Sequence, residues 1–142
     1  MPPDIALKAM NAAHRTLLKL SCGRLGWQVA SMTVLELVTT GRRSGVPRAV
    51  MLTSPLTDGD ALVIVASRGG DDRHPAWFLN LRDRPEVQVS VRGGSHQPMV
   101  ARIASAEEHA RLWPQVVKVY RSYAAYQKRT TREIPLVLLS PA

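Results

Sequence analysis

The chain shows a loose alternation of hydrophobic and polar residues over Met32–Thr40, a stretch rich in threonine, valine and leucine. This pattern predicts a strand that runs into a turn at Gly41–Pro47 and returns as a second strand at about Arg48–Ser54. The β-branched run Ala61–Ala66 follows an Asp-Gly-Asp turn at 58–60 and predicts a strand buried on both faces. The first half of the chain therefore predicts a hairpin followed by a buried strand.

Helices are predicted on either side of these strands. Residues Asp4 to about Cys22 have the spacing of an amphipathic helix, which glycines at 23 and 26 end. A short helix is expected at about Pro75–Arg84, because proline suits a first helical position and another proline at 85 stops the helix. Aspartates at 71 and 72 are expected at its positive end.

Two further strands are predicted at Glu86–Arg92 and Gln97–Ala104, joined by a Gly-Gly-Ser turn at 93–95. A capping box formed by Ser105 and Glu108 begins the next helix. Pro114 is expected to break or restart it, with a second helical piece to about residue 129. An apolar run at 134–139 suits a strand that closes a sheet.

About six mostly antiparallel strands with helices at the edges predict an α+β domain built on a small barrel-like sheet. A doubly wound α/β fold would need helices between the early strands, and none is predicted there. With 142 residues and 45% hydrophobic content, the chain is expected to form one domain, 1–142. No apolar run reaches the roughly 18 residues that span a bilayer, so a soluble cytoplasmic protein is expected.

The formal net charge of +8 suits nucleic acid, an anionic membrane surface or a multiply charged small molecule, and charge alone does not choose among them. The single cysteine, Cys22, excludes an internal disulfide and a cysteine-based metal site. Four scattered histidines show neither metal-ligand spacing nor a nucleophile motif, so no metal site and no catalytic side chain is predicted.

Three arginines, Arg42, Arg43 and Arg48, lie within seven positions on or beside the predicted Gly41–Pro47 turn. Their charges repel one another unless an anion lies between them, and the neighbouring Ser44 adds a hydroxyl donor. The alternative is a solvated hairpin tip. The chain contains neither the triphosphate-binding G-x-x-x-x-G-K-[ST] nor the dinucleotide-binding G-x-G-x-x-G.

Five segments together resemble the deazaflavin (coenzyme F420)-dependent nitroreductase-like oxidoreductases. The match spans roughly residues 30 to 142, and the order of the segments is more specific than any one of them. The segments are Thr39–Arg48, Ala66–Gly70, His74–Leu81, Tyr120–Tyr126 and Arg132–Pro135.

The resemblance implies a split β-barrel of the flavin-reductase type in residues 30–142, preceded by a helix and loop in 1–26. It implies hydride transfer from C5 of reduced F420 to an apolar, electron-poor quinone, nitroaromatic or enone. A homodimer is possible on this reading, and no nucleic-acid partner is expected. Lys8, Arg15 and Lys19 would hold the oligoglutamate tail of the cofactor or touch anionic lipid.

The resemblance also assigns site residues. An arginine-rich group would hold the phosphate and carboxylates of F420, while an apolar group would lie along its ring. The implied cofactor-binding residues are Arg42, Arg43, Ser44, Arg48, Ala49, Val50, Met51, Val65, Ala66, Ser67, Arg68, Ala76, Trp77, Phe78, Leu79 and Asn80. The implied substrate-side residues are Ser67, Tyr120, Tyr123 and Tyr126. Met51 stands where the family often has proline, which leaves the local path of the strand open.

Other functions remain open on the residues alone. The same barrel could hold FMN or a pyridoxal-type phosphate, or could bind F420 without turning over a substrate. A non-catalytic nucleic-acid-binding module is a further alternative, because Arg121, Lys128 and Arg129 lie near the three tyrosines.

Overall fold

The computed structural model describes residues 28–29 and 32–142. The predicted helix at Asp4–Cys22, including Lys8, Arg15 and Lys19, lies outside the described residues.

Eight strands and three α-helices lie within the described residues. The strands are β1 (Gln28–Val29), β2 (Met32–Thr40), β3 (Pro47–Ser54), β4 (Leu56–Asp58), β5 (Ala61–Val65), β6 (Glu86–Val91), β7 (Gln97–Ile103) and β8 (Leu136–Pro141). The helices are α1 (Ala76–Asp83), α2 (Ala106–Val119) and α3 (Ser122–Lys128). The six longer strands are those expected from the sequence, whereas β1 and β4 are too short to give a periodic pattern.

Every described strand pairs antiparallel with its neighbours, in the order β1-β2-β6-β7-β8-β5-β4, and β3 also pairs with β2. The sheet curls so that β3 comes close to β5. The Ser54 hydroxyl, at the end of β3, donates to the carbonyl oxygen of Val63 in β5 at 2.7 Å. This curled sheet with helices around it is the predicted split barrel.

The two faces of the sheet bury two separate hydrophobic clusters, because side chains alternate along each strand. The α1 face carries Leu37, Ile64 and Val137 and packs against Phe78 of α1. The α2 face carries residues one position away in the same strands and packs against α2 and α3. The strands β5 and β8 contribute to both clusters, which confirms the prediction that Ala61–Ala66 is buried on both faces.

Helix α2 corrects one prediction. It begins at the predicted capping box, in which the Ser105 hydroxyl accepts from the backbone N–H of Glu108 at 3.2 Å, but it continues through Pro114. An interior proline costs about 3 kcal/mol. Burial of Leu112 and Val116, each contributing roughly 1.5–3 kcal/mol, offsets that cost. The chain breaks instead at Tyr120, which has an extended backbone (φ −141°, ψ 100°).

The start of α1 corrects another prediction. No acidic residue lies in its first turn, and its N-cap is Pro75. The Asp71 carboxylate accepts from the Arg73 backbone N–H at 2.9 Å and from the Arg68 guanidinium at 2.8 Å. No helix in the described part of the chain is long and apolar enough to cross a membrane.

Candidate functional site

The arginine turn, residues 41–47, joins β2 to β3 and is closed by backbone hydrogen bonds. The N–H of Gly41 donates to the carbonyl of Val46 at 2.9 Å, and the N–H of Gly45 donates to the carbonyl of Gly41 at 2.8 Å. Gly45 has a φ of +72°, a conformation that glycine adopts without steric cost. The Ser44 hydroxyl accepts from the N–H of Val46 at 3.1 Å. The turn is therefore internally ordered, with Arg43 exposed and Arg42 partly buried.

Asn80 of α1 connects this turn to the helix. Its Oδ1 accepts from the backbone N–H of Arg42 at 3.2 Å and from the Arg42 guanidinium at 3.0 Å. Its Nδ2 donates to the Thr39 hydroxyl at 3.1 Å. Asn80 and Thr39 are almost fully buried. The predicted site residues Arg42 and Asn80 are therefore in direct contact.

The charges of the turn favour an anionic ligand. Arg43 and Arg48 are exposed, and within the described residues neither forms a salt bridge. No aspartate or glutamate occurs between residues 37 and 57. Several guanidinium groups without a neighbouring carboxylate form a donor set that suits a phosphate.

The register of β2 and β3 divides the predicted ring contacts between two faces. Directly paired residues on antiparallel strands share a face. Arg48 pairs with Thr39 and Val50 with Leu37, which places both on the α1 face, where Val50, Trp77 and Leu79 pack around the buried cluster. Ala49 and Met51 lie on the opposite face, and Met51 packs against Val34. The strand continues through Met51 without interruption.

Four of the predicted ring contacts are buried components of the core, and Met51, 7% exposed, is one of them. Phe78 is 3% exposed, Ala66 is fully buried, and Val65 is 8% exposed on the α2 face. Ala76, at the first turn of α1, is exposed. The structure therefore brings Arg48, Val50, Trp77 and Asn80 to one side of the barrel and leaves Ala49, Met51 and Val65 on the other.

The loop formed by residues 66–71 contains three consecutive residues with left-handed backbone: Arg68 (φ +47°), Gly69 (φ +63°) and Gly70 (φ +85°). A non-glycine residue in this region is strained and persists only where surrounding contacts enforce it. Here the Arg68 guanidinium donates to Asp71 at 2.8 Å, and its side chain is 9% exposed. Arg68 thus points inward to a carboxylate, unlike the ligand-facing charge that the sequence predicted.

Asp71 anchors the loop as an ionised carboxylate. It is 1% exposed, and burial alone would raise its pKa. The backbone N–H of Arg73, together with the charges of Arg68 and Arg73, holds the pKa of Asp71 below its usual value.

Arg132, which sequence reasoning did not include among the site residues, holds the same loop. Its Nε donates to the carbonyl of Asp71 at 2.9 Å, its Nη1 to that of Ala66 at 3.2 Å, and its Nη2 to that of Ser67 at 2.9 Å. The Nη1 also lies 3.2 Å from Nδ1 of His74. The only indication in the sequence was the Arg132–Pro135 segment, which carried no predicted role.

The three tyrosines do not share one helix as expected. Tyr120 lies at the break before α3, whereas Tyr123 and Tyr126 lie within it. The ring of Tyr123 is 5.0 Å from that of Tyr120 and 6.1 Å from that of Tyr126, in edge-on geometry. Tyr123 is buried, its hydroxyl lies 3.6 Å from Sδ of Met32, and burial raises the pKa of Tyr123 to about 12. Tyr123 is therefore part of the hydrophobic core on the α2 face, and not on the substrate side as the resemblance implied.

Tyr120 and Tyr126 are only partly buried and form a pair of interacting phenols. Hydrogen bonds from Ser122 and Tyr126 lower the pKa of Tyr120, whereas burial raises the pKa of Tyr126. The Arg129 guanidinium lies 5.5 Å from the centroid of the Tyr126 ring. Tyr120 and Tyr126 are thus less buried than Tyr123, and both pack against the α2-face cluster.

The F420H(2)-dependent quinone reductase family model matches residues 11–141. The chain belongs to this family. A quinone reductase of the same description from Mycobacterium tuberculosis is 38% identical over 132 residues, which cover 89% of this chain and 87% of that protein. The match confirms the family and the cofactor that the sequence predicted.

Solved structures of similar proteins confirm the fold. The F420-H2 dependent reductase FDR-A has a TM-score of 0.66 at 35% identity, covering 75% of this chain and 93% of that chain. A structure described as a domain-swapped dimer has a TM-score of 0.68 at 33% identity, covering 91% of this chain and 96% of its own. These two similar structures confirm the predicted split-barrel fold.

The residues present fit F420. The arginine turn carries guanidinium donors of the kind its anionic groups would need, and Val50 and Trp77 provide partly buried apolar surface on the adjoining face. No cluster of histidine, cysteine, aspartate or glutamate with metal-binding geometry occurs among the described residues.

Proposed function

We propose that this chain binds reduced F420 with its phosphate at the arginine turn and its ring along the α1 face, and that it reduces a quinone. The observation that carries this assignment is the contact between Asn80 and Arg42, which fixes the basic turn beside the apolar surface of α1 and β3. A ligand with one acidic end and one flat apolar end requires this juxtaposition.

Reduced F420, when bound, supplies a hydride from C5 of its ring. The protein's contribution is binding, alignment and exclusion of water. Arg42, Arg43 and Arg48 offer charged donors to the phosphate, and the planar guanidinium gives these bonds direction. Val50 and Trp77 cover the ring on the barrel side.

The acceptor side is assigned to Tyr120 and Tyr126. Both pack against the α2-face cluster, beside the 66–71 loop, so the acceptor would meet the ring at the edge of the sheet where β5 ends. The Tyr120 hydroxyl can donate a hydrogen bond to a quinone oxygen, which gains negative charge as the ring is reduced. The Tyr126 hydroxyl, which donates to Tyr120, supports that donor. Nitroaromatic and enone acceptors carry comparable oxygens, so they are secondary candidates for the same position. Ser67 lies at the end of β5 and is assigned to the region between cofactor and acceptor.

We also propose that the chain forms a homodimer. A structurally similar protein at 33% identity is described as a domain-swapped dimer. Light scattering coupled to size-exclusion chromatography would test this assignment, and a monomeric mass at micromolar concentration would reject it.

The function is tested by anaerobic titration with F420, followed by cofactor fluorescence, and then by oxidation of bound F420H2 by quinones. Saturable binding in the micromolar range and quinone-dependent oxidation are expected. Absence of F420 binding at those concentrations would reject the assignment. Binding without oxidation by any quinone, nitroaromatic or enone would instead identify a carrier.

A further inference from the structure

We propose that Arg132 is a positioning residue for hydride transfer, because its guanidinium holds the strained 66–71 loop against the barrel at the end of β5. The inference rests on the proposed function and deepens it. It gives a role to a side chain that lies outside the predicted cofactor and substrate groups.

The contacts of Arg132 are directed at backbone. All three guanidinium nitrogens donate, one each to the carbonyl oxygens of Asp71, Ala66 and Ser67, at 2.9, 3.2 and 2.9 Å. A side chain that serves only as a surface charge does not converge on three carbonyls of one loop. Lysine cannot reproduce this fan of donors, because its ammonium is a single point.

The loop needs such support. Its three consecutive left-handed residues, 68–70, include the non-glycine Arg68 at φ +47°. A conformation of this kind costs about 1–3 kcal/mol per residue and persists where neighbours over-determine it. The Arg68–Asp71 ion pair supplies part of that constraint inside the loop, whereas Arg132 supplies it from outside.

Arg132 also connects the loop to the tyrosine segment, residues 120–126. The Gln127 side chain donates to the carbonyl of Arg132 at 2.7 Å, and the Arg129 guanidinium donates to the carbonyl of Gly69 at 3.2 Å. A Cβ at Gly70 would lie 2.7 Å from the carbonyl oxygen of Tyr126. The loop is therefore packed directly against the segment that carries the acceptor-side tyrosines.

The geometry thus separates two tasks. The arginine turn holds the anionic part of F420, and Arg132 sets the distance between the ring and the acceptor through the Ser67 backbone. None of the Arg132 hydrogen bonds uses the Ser67 hydroxyl, because the contact is with the Ser67 carbonyl. Loss of Arg132 should therefore affect turnover more than it affects binding of the phosphate.

The test compares R132K and R132Q with the wild type and with R111Q. Arg111 is a control because its guanidinium, like that of Arg132, donates hydrogen bonds, in this case two to the Asp58 carboxylate at the surface. For each variant we would measure the Kd for F420 and for its phosphate-free deazaflavin nucleoside, the single-turnover rate of hydride transfer, and the NMR amide shifts of Ser67 and Gly70.

We expect R132K to lower the hydride-transfer rate about tenfold or more, the change for about 1.4 kcal/mol, while the Kd for F420 changes less than threefold. The amide shifts of Ser67 and Gly70 should move in R132K and stay unchanged in R111Q. If R132K transfers hydride at the wild-type rate with unmoved loop amides, the inference is wrong. If the wild type does not bind F420, the proposed function fails instead. If R132Q does not fold, the comparison of R132K with the wild type still tests the inference, because lysine keeps the positive charge.

Discussion

Asn80 accepts two hydrogen bonds from Arg42, one from its backbone N–H at 3.2 Å and one from its guanidinium at 3.0 Å. The single amide oxygen of Asn80 therefore fixes both the backbone of the arginine turn at Arg42 and the orientation of the Arg42 guanidinium. Because Asn80 also donates to Thr39, the whole amide is used and the helix α1 is tied to the end of β2.

Replacement of Asn80 by alanine should loosen this junction. We expect N80A to lower the free energy of unfolding by about 1–3 kcal/mol, because buried partners lose their hydrogen bonds. It should also weaken F420 binding roughly tenfold, since Arg42 is no longer directed. Urea unfolding and fluorescence titration measure the two effects. N80D, which keeps the acceptor for Arg42, is the comparison, and equal F420 affinity in N80A and wild type would contradict the role of Asn80.

The positive charges of the exposed arginines in the turn should strengthen F420 binding without stabilising the fold. We expect R43Q and R48Q each to weaken F420 binding several-fold at low salt, with less effect at 0.5 M salt, because exposed charges are screened. Affinity for the phosphate-free deazaflavin nucleoside should stay within twofold. R111Q removes the same charge at the Asp58 surface pair and serves as control. A loss of nucleoside affinity equal to the loss of F420 affinity would argue against a phosphate contact.

Much of the fold could be predicted from the sequence, because its strands are periodic and its helix starts carry local chemistry. The β2 strand at Met32–Thr40 and the Ser105–Glu108 capping box were located correctly. The helix through Pro114 could not be predicted, because the burial that offsets the proline arises from β8 and α3, which are distant in sequence.

The candidate site divides in the same way. The arginine turn is formed by seven consecutive residues, so its basic character can be predicted from the sequence. The hydrogen-bond partner of each arginine cannot be predicted in this way. That Arg68 pairs with Asp71, and that Arg132 reaches carbonyls more than sixty positions away, depends on tertiary packing. The separation of Val50 from Met51 onto opposite faces follows from strand register, which a motif match does not give.

The tyrosines should separate into stabilising and functional members. Y123F is expected to leave turnover within twofold, because the Tyr123 hydroxyl contacts Met32 inside the core. Y120F and Y126F are expected to lower the rate of quinone reduction at least fivefold, with an unchanged Kd for F420, because they remove acceptor-side donors. Steady-state kinetics with F420H2 and a quinone measure the rates. If Y123F lowers the rate of quinone reduction more than Y126F does, and the two variants are equally stable, the assignment of Tyr123 to the core and Tyr126 to the acceptor side is wrong.

Two glycines with similar backbone angles should respond differently to alanine. Gly45 has a φ of +72° and open space around a Cβ, whereas Gly70 has a φ of +85° and a Cβ that would meet the Tyr126 carbonyl oxygen at 2.7 Å. We expect G45A to cost about 1 kcal/mol from backbone strain alone. G70A should cost about 2–4 kcal/mol, because a clash with backbone adds to the strain. Denaturant unfolding gives both values, and equal losses would contradict the close contact of the loop with α3.

The protonation of His74 should make stability depend on pH. Burial, followed by the charges of Arg132 and Arg82, lowers the pKa of His74 from its usual 6.5. The unfolded chain therefore binds a proton near pH 6.5 that the folded chain resists. The contribution of His74 to stability is complete above pH 6.5 and is lost as the pH falls through that value toward the lower folded pKa.

This prediction is checked by urea unfolding of wild type and H74N between pH 7.5 and 5.5. Asparagine can still offer an acceptor to Arg132 but does not titrate in this range. We expect the stability difference between wild type and H74N to shrink or reverse as the pH falls, because only the wild type must resist a proton at this position. If the free energies of unfolding of the two proteins change with pH in parallel, the prediction is wrong. His74 would then not be held neutral in the folded protein, where its Nδ1 lies 3.2 Å from the Arg132 guanidinium.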